Sequence, residues 1–154
     1  MSLRKINVFD KIGTLIPGYQ GYADRDSRKN CDKKLRVHLS DRLNQFEDST
    51  INKIVDSVNK SNLENLTGLE TIRKIANNLS SKIIYAPYGS NSFFSNQKIH
   101  AKELDKIYKF DLDISEKIEL LFPNEAINDK EVINIINSIE DILINRNNFI
   151  KKFK

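Results

Sequence analysis

The chain holds few residues with reactive side chains: Cys31, His38, His100 and a run of carboxylates, Asp111, Asp113, Glu116 and Glu119. Nucleophilic catalysis by a thiolate needs an imidazole within hydrogen-bond reach. Cys31 and His38 are seven residues apart, which on one helix is two turns and about 10 Å. Cys31 therefore reads as a small buried apolar residue. A carboxylate-bridged di-iron centre in a bundle needs Glu-x-x-His on two helices, and neither histidine has a Glu three residues before it. Zinc needs Cys/His pairs at short spacing, which one cysteine cannot supply. The acidic run reads as a solvated helix face, because a hard cation needs oxygens converging from one loop or from facing helices. There is no glycine-rich phosphate loop, dinucleotide fingerprint or His-Glu-x-x-His. No catalytic, metal or cofactor residue is assigned, and the chain reads as non-enzymatic.

The elements that would position any site are helical. Five Gly and three Pro in 154 residues are too few for the turns of an all-β chain. Leu3, Ile6, Phe9, Ile12 and Ile16 follow at three- and four-residue steps and predict an amphipathic helix over 1–16. Pro17 and Gly18 end it. From Ala23 a long stripe runs through Leu35, Leu39, Leu43, Phe46, Ile51, Ile54, Val55 and Val58; Asp48-Ser49-Thr50, all cap-favouring, mark a place for a break. Ser61-Asn62-Leu63-Glu64 has the form of a capping box opening the third helix. The fourth helix is expected from 96–99 to Phe122, with a kink over 111–115. The last opens at Asn128-Asp129-Lys130-Glu131 and carries Val132, Ile135, Ile136, Ile139, Ile142, Leu143, Phe149 and Ile150 on one broad face, suited to a central helix or an oligomer seam. The fold class is all-α: one domain over 1–154, an up-down bundle of four long helices preceded by a short amphipathic one.

In such a bundle, short connections make successive helices antiparallel. The 17–22 and 85–95 loops and the C-terminus then meet at one end. Eight of the 13 aromatic residues fall there: Tyr19, Tyr22, Tyr85, Tyr88, Phe93, Phe94, Phe149 and Phe153. Tyrosine with glycine suits binding loops, and an aromatic loop also caps a bundle by folding over its core. The candidate partner-binding set is Tyr19, Tyr22, Tyr88, Phe93 and Phe94, with Arg25 and Arg28 as a polar rim, since tyrosine and arginine are frequent interface anchors.

Charge gives a second reading. Twenty-five basic residues against 21 acidic leave a net charge of +4. Segment 25–42 holds Arg25, Arg28, Lys29, Lys33, Lys34, Arg36 and Arg42, but it is laced with Asp26, Asp32 and Asp41 behind Asp24, the pattern of a solvated helix face with i,i+4 pairs. An anionic surface, whether nucleic acid, acidic lipid or acidic protein, is the alternative partner for it. The first helix with Arg4, Lys5 and Lys11 more often covers a groove than lies on a membrane. No apolar stretch is long enough for a membrane span; one cysteine and no leader-like segment make the cytoplasm the expected compartment. High Ile, Asn and Lys content reads as AT-rich, bacterial codon usage.

The segments Ile16-Pro17-Gly18-Tyr19-Gln20-Gly21-Tyr22 and Tyr88-Gly89-Ser90-Asn91-Ser92-Phe93-Phe94 resemble a family of small uncharacterised bacterial helical proteins. The resemblance implies no activity. The function expected is a protein-interaction module that binds a partner or itself through the aromatic loop end.

Overall fold

The computed structural model describes residues 7–86, 92–94, 98–122 and 128–153. Five α-helices follow in order: α1 (Val8–Leu15), α2 (Arg28–Asn59), α3 (Leu66–Tyr85), α4 (Ala101–Glu119) and α5 (Asp129–Lys151). Short 3-10 turns at Arg25–Ser27 and Ser92–Phe94 precede α2 and α4. The model is an all-α bundle of four long helices behind a short one. Tyr88 and the first turn of the predicted N-terminal helix lie outside the described residues.

Helix α2 runs unbroken for 32 residues through Asp48-Ser49-Thr50, about 48 Å at 1.5 Å per residue. Thr50 is buried and turns its hydroxyl back to the Phe46 carbonyl at 3.1 Å, so it stays inside the helix instead of capping it. Helix α4 is likewise continuous through 111–115. The capping-box reading of Ser61 is corrected. Ser61 takes a left-handed conformation, φ 57°. Its N–H bonds the Val58 carbonyl at 3.0 Å and the Asn62 N–H bonds the Ser57 carbonyl at 2.8 Å. This is the Schellman closure of α2, with serine where glycine is usual. Helix α3 begins only at Leu66. The Asn128 cap of α5 forms, its side chain accepting from the Glu131 N–H at 2.9 Å.

Around the bundle α2 packs beside α3 and α4, and α5 packs beside the same two. Helices α3 and α4, consecutive in sequence, therefore occupy opposite corners. Pairs Ser40–Ser80 and Glu47–Asn77 show α2 and α3 antiparallel; Asp111–Arg146 and Phe110–Phe149 show the same of α4 and α5. Phe93, between α3 and α4 in sequence, is fully buried against Tyr22 and Phe153 at the bundle end. Helix α1 lies on α4, with Ile12 buried and Phe9 tilted on Tyr108.

Two loop positions carry opposite backbone demands. Gly21 has φ +85°, and a Cβ there would stand 2.6 Å from Tyr108 Oη and 2.7 Å from Phe9 Cε2. Ser61 sits in the left-handed region with no such crowding to gain from. Gly21→Ala is expected to lower the unfolding free energy by more than about 2 kcal/mol, whereas Ser61→Gly raises it by up to about 1 kcal/mol. Urea denaturation of both variants beside wild type checks the pair of signs.

Candidate functional site

The chemistry the chain concentrates in one place is a buried chain of charges. Asp111 on α4 is wholly inaccessible. Its Oδ2 accepts hydrogen bonds from Tyr19 Oη at 2.6 Å and Tyr22 Oη at 2.7 Å, and its Oδ1 accepts from Arg146 Nε at 2.5 Å. Arg146, on α5, also donates through Nη2 to Tyr22 Oη at 2.9 Å and to Asp32 Oδ1 at 2.8 Å. Asp32 Oδ2 lies 2.8 Å from Arg36 Nε, an ion pair in which Oδ2 accepts no aligned hydrogen bond. Arg36 in turn donates to the Ala86 carbonyl. Two guanidinium groups and two carboxylates alternate across α2, α4 and α5, so the cluster carries no formal net charge.

The loop before α2 is fastened to this cluster. Arg28, 3% exposed, donates to the Tyr22 carbonyl at 2.8 Å and to the Phe93 carbonyl at 3.2 Å. The Tyr22 N–H bonds Tyr108 Oη at 2.9 Å, and the Gly21 N–H bonds Cys31 Sγ at 3.2 Å. The Tyr22 ring stacks on Tyr108 and meets Phe93 at 5.3 Å.

Burial sets the protonation of these groups. Tyr19 and Tyr22 are held far above the usual tyrosine value, first by burial and then by the adjacent Asp111 charge. Burial pushes the Cys31 thiol from 9.0 up to about 11. Asp111 is raised by burial, against the pull of Arg146 and the two hydroxyls. Arg146 is raised by Asp111, Tyr22 and Asp32, which outweigh its own burial. Buried guanidinium faces buried carboxylate, phenols and thiol stay neutral, and each hydroxyl donates to a carboxylate that is already ligated. A cavity of about 10 Å³ touches Arg36 and Arg146, the least that one water needs. The arrangement locks helices together and offers no room for a substrate.

The sequence-derived candidates are placed as follows. Tyr19, Tyr22 and Phe93 are at most 7% exposed and Arg28 is 3% exposed; all four face the interior. The contact surface expected of them is replaced by interior packing and hydrogen bonding. Phe94 is half-buried, edge-on to Phe93 at 4.7 Å. Arg25 is exposed and pairs with Asp26 at 3.6 Å. Among the described residues of this end, Tyr85 is the large apolar side chain that stays mostly exposed, at 82%. In segment 25–42, Arg42 is bound bidentately to Glu119 at 2.8 and 2.7 Å, and Lys34 donates to the Gly18 carbonyl at 3.3 Å. Arg28 and Arg36 are engaged as described.

The reading of Asp111 as part of a solvated face is corrected, and Asp32, read as one of the carboxylates lacing a solvated face of segment 25–42, is instead buried between Arg146 and Arg36. A sequence signal existed. Arg28, Asp32, Leu35 and Leu39 share one phase of α2; Ile107, Asp111, Ile114 and Ile118 share one phase of α4; Ile139, Arg146 and Ile150 share one phase of α5. A charge in the apolar phase of three helices marks a buried ionic cluster. Among the described residues there is no group of three or more Cys, His, Asp or Glu placed to hold a metal, and no helix long and apolar enough to cross a membrane. No family model matches this chain, and neither a curated protein nor a solved structure does.

Removing one partner of a buried ion pair leaves the other charge uncompensated, at a cost of about 3–5 kcal/mol. Arg146→Met and Asp111→Leu are each expected to lose that much in urea denaturation. The double variant should recover about 1–3 kcal/mol of the summed loss, the coupling of residues in contact. Strict additivity would show that the two side chains do not depend on each other.

Alkaline pH is a second probe. A group whose folded pKa lies above its unfolded value stabilises fully below the unfolded value and loses that contribution as pH rises through the folded one. Cys31, Tyr19 and Tyr22 are all of this kind. Stability should therefore hold level to about pH 9 and then fall by about 1.4 kcal/mol per pH unit for each group whose unfolded form has ionised. Urea midpoints from pH 8 to 11 read this directly, and Cys31→Ala should flatten the first part of the decline. A level profile through pH 10.5 contradicts the burial of these groups.

Proposed function

We propose that this chain is a non-enzymatic helical protein-interaction module, and that its contact face is the outer side of the α2–α3 hairpin and not the aromatic end. One observation carries the reading. From residue 51 to residue 68 no side chain is buried, yet Ile51, Val55 and Val58 repeat there at helical spacing with 37%, 52% and 52% exposure, and Leu63 follows at 64%. A helix in a folded protein takes most of its stability from packing an apolar face. The last third of α2 holds that face toward solvent. Asn52, Lys53, Asp56 and Ser57 lie between and around the apolar positions, so the exposed residues form a stripe of the kind that marks a contact site. The aromatic end supports the role less well, because Tyr19, Tyr22 and Phe93 are consumed by the interior.

The anionic-partner alternative has less support. Four of the seven basic side chains of segment 25–42 are engaged by carboxylates or carbonyls of the chain itself. Arg25, Lys29 and Lys33 are exposed, with Asp24, Asp26 and Asp41 exposed beside them.

A photo-crosslinking amino acid at Val55, expressed in the native host and irradiated in living cells, tests the reading. The expected product is a discrete adduct heavier than the 17.8 kDa chain, with none from the same probe at the exposed Lys109 of α4. No adduct from position 55 removes the hairpin as a contact face.

A further inference from the structure

The stepping and the size of the hairpin face bear on what covers it. An interface between identical chains about a two-fold axis must be complementary to its own copy. Ile51, Val55 and Val58 step by four and then three residues, the seam spacing of paired helices. Read from the other direction it steps by three and then four, so the stripe superposes on its reversed self to within one residue, about 1.5 Å. When two copies of α2 cross antiparallel near Val55, Ile51 meets Val58 of the second copy, and Val55 meets its own equivalent. At 3.6 residues per turn Asn52 and Asn59 share one flank of the stripe, so the crossing sets amide beside amide. Lys53 and Asp56 point to the opposite half of the helix, and no like charges are brought together. On α3, Glu70 and Arg73 pair at 3.1 Å and are partly exposed, one charge of each sign.

The size of the patch agrees. With ordinary whole-residue areas, the exposed fractions of Ile51, Val55, Val58 and Leu63 amount to about 350 Å² per copy, comparable to the largest apolar patch of a typical monomer. Two such patches, at an apolar share of about 60%, correspond to an interface on the order of 1,200 Å², the lower bound for a specific dimer.

We infer that a second copy of this chain covers the face, with the two α2 helices antiparallel and the two-fold axis beside Val55. The inference rests on the hairpin being the contact face.

Sedimentation velocity over a hundredfold range of concentration is the first measurement. Wild type should move from the mass of one chain to twice that mass, and Val55→Asp should remain a monomer throughout, with the urea midpoint that wild type has at concentrations where it is monomeric. Cysteine cross-linking then reads the register, since the native Cys31 is buried. Val55→Cys should oxidise to a covalent dimer. Ile51→Cys alone should not, because its equivalents are about 12 Å apart along the axis, but Ile51→Cys mixed with Val58→Cys should give the mixed disulfide. A dimer that Val55→Asp leaves intact, or one without the 51–58 cross-link, overturns the inference. A wild type that stays monomeric also overturns it. In that case a position-55 adduct with a different protein in cells leaves the hairpin reading standing, and no adduct removes both.

Discussion

The structure turns on a carboxylate that has been taken out of water. Asp111 is wholly buried, and three donors from two other parts of the chain hold it: two phenols from the loop before α2 and the guanidinium of Arg146 on α5. An isolated charge in such a place would cost several kcal/mol. That cost makes the arrangement specific. Helices α2, α4 and α5 must come together in one register, and the 19–22 loop must lie on them, or the charge is left unpaired. Apolar packing alone tolerates slippage by a turn; a branched ionic network with fixed hydrogen-bond directions does not.

The same constraint explains the fate of the aromatic residues. Helices α3 and α4 stand at opposite corners, and the bundle end between them needs filling. Phe93 fills it, held by rings on two sides and by Arg28, which reaches its carbonyl and that of Tyr22. Tyr19 and Tyr22 carry polar tips that would be costly in a purely apolar cap, and Asp111 supplies the acceptor each requires. The left-handed Gly21 lets the backbone press against Tyr108 and Phe9 where no Cβ fits. A loop rich in tyrosine and glycine here is the outer wall of the core.

Much of this was legible from periodicity. The apolar steps of α2, α3, α4 and α5 predicted long helices, and the Asn128 cap was read from one residue and its neighbour three places on. What failed were readings in which local chemistry was separated from its tertiary setting. Ser61 looks like a cap because serine favours caps, but the chain needed a left-handed residue to close α2. Asp111 looks like its neighbours Asp113 and Glu116, because composition does not register helix phase. Arg146 drew no attention, since its partners are 35 and 114 residues away. The crossing of α3 and α4 is invisible to any local rule, and it determines which aromatic residues go inside.

With the aromatic end closed, the bundle is asymmetric in a different way from the one its composition suggests. At that end Tyr19, Tyr22, Phe93 and the ionic groups around Asp111 are drawn inward. At the other, the core stops at Phe46 and Thr50 on α2 and resumes on α3 only at Leu69, while the helices continue past it. A helix that outruns its core can be kept folded by capping and by ion pairs such as Lys60–Asp56, each worth only tenths of a kcal/mol. Such a helix has no need of Ile51, Val55 and Val58 in one stripe, and polar residues there would serve solvation better. The apolar choice at these positions suits something packed against them, and the three- and four-residue steps that a helix shares with its own antiparallel copy make a second chain the proposed occupant.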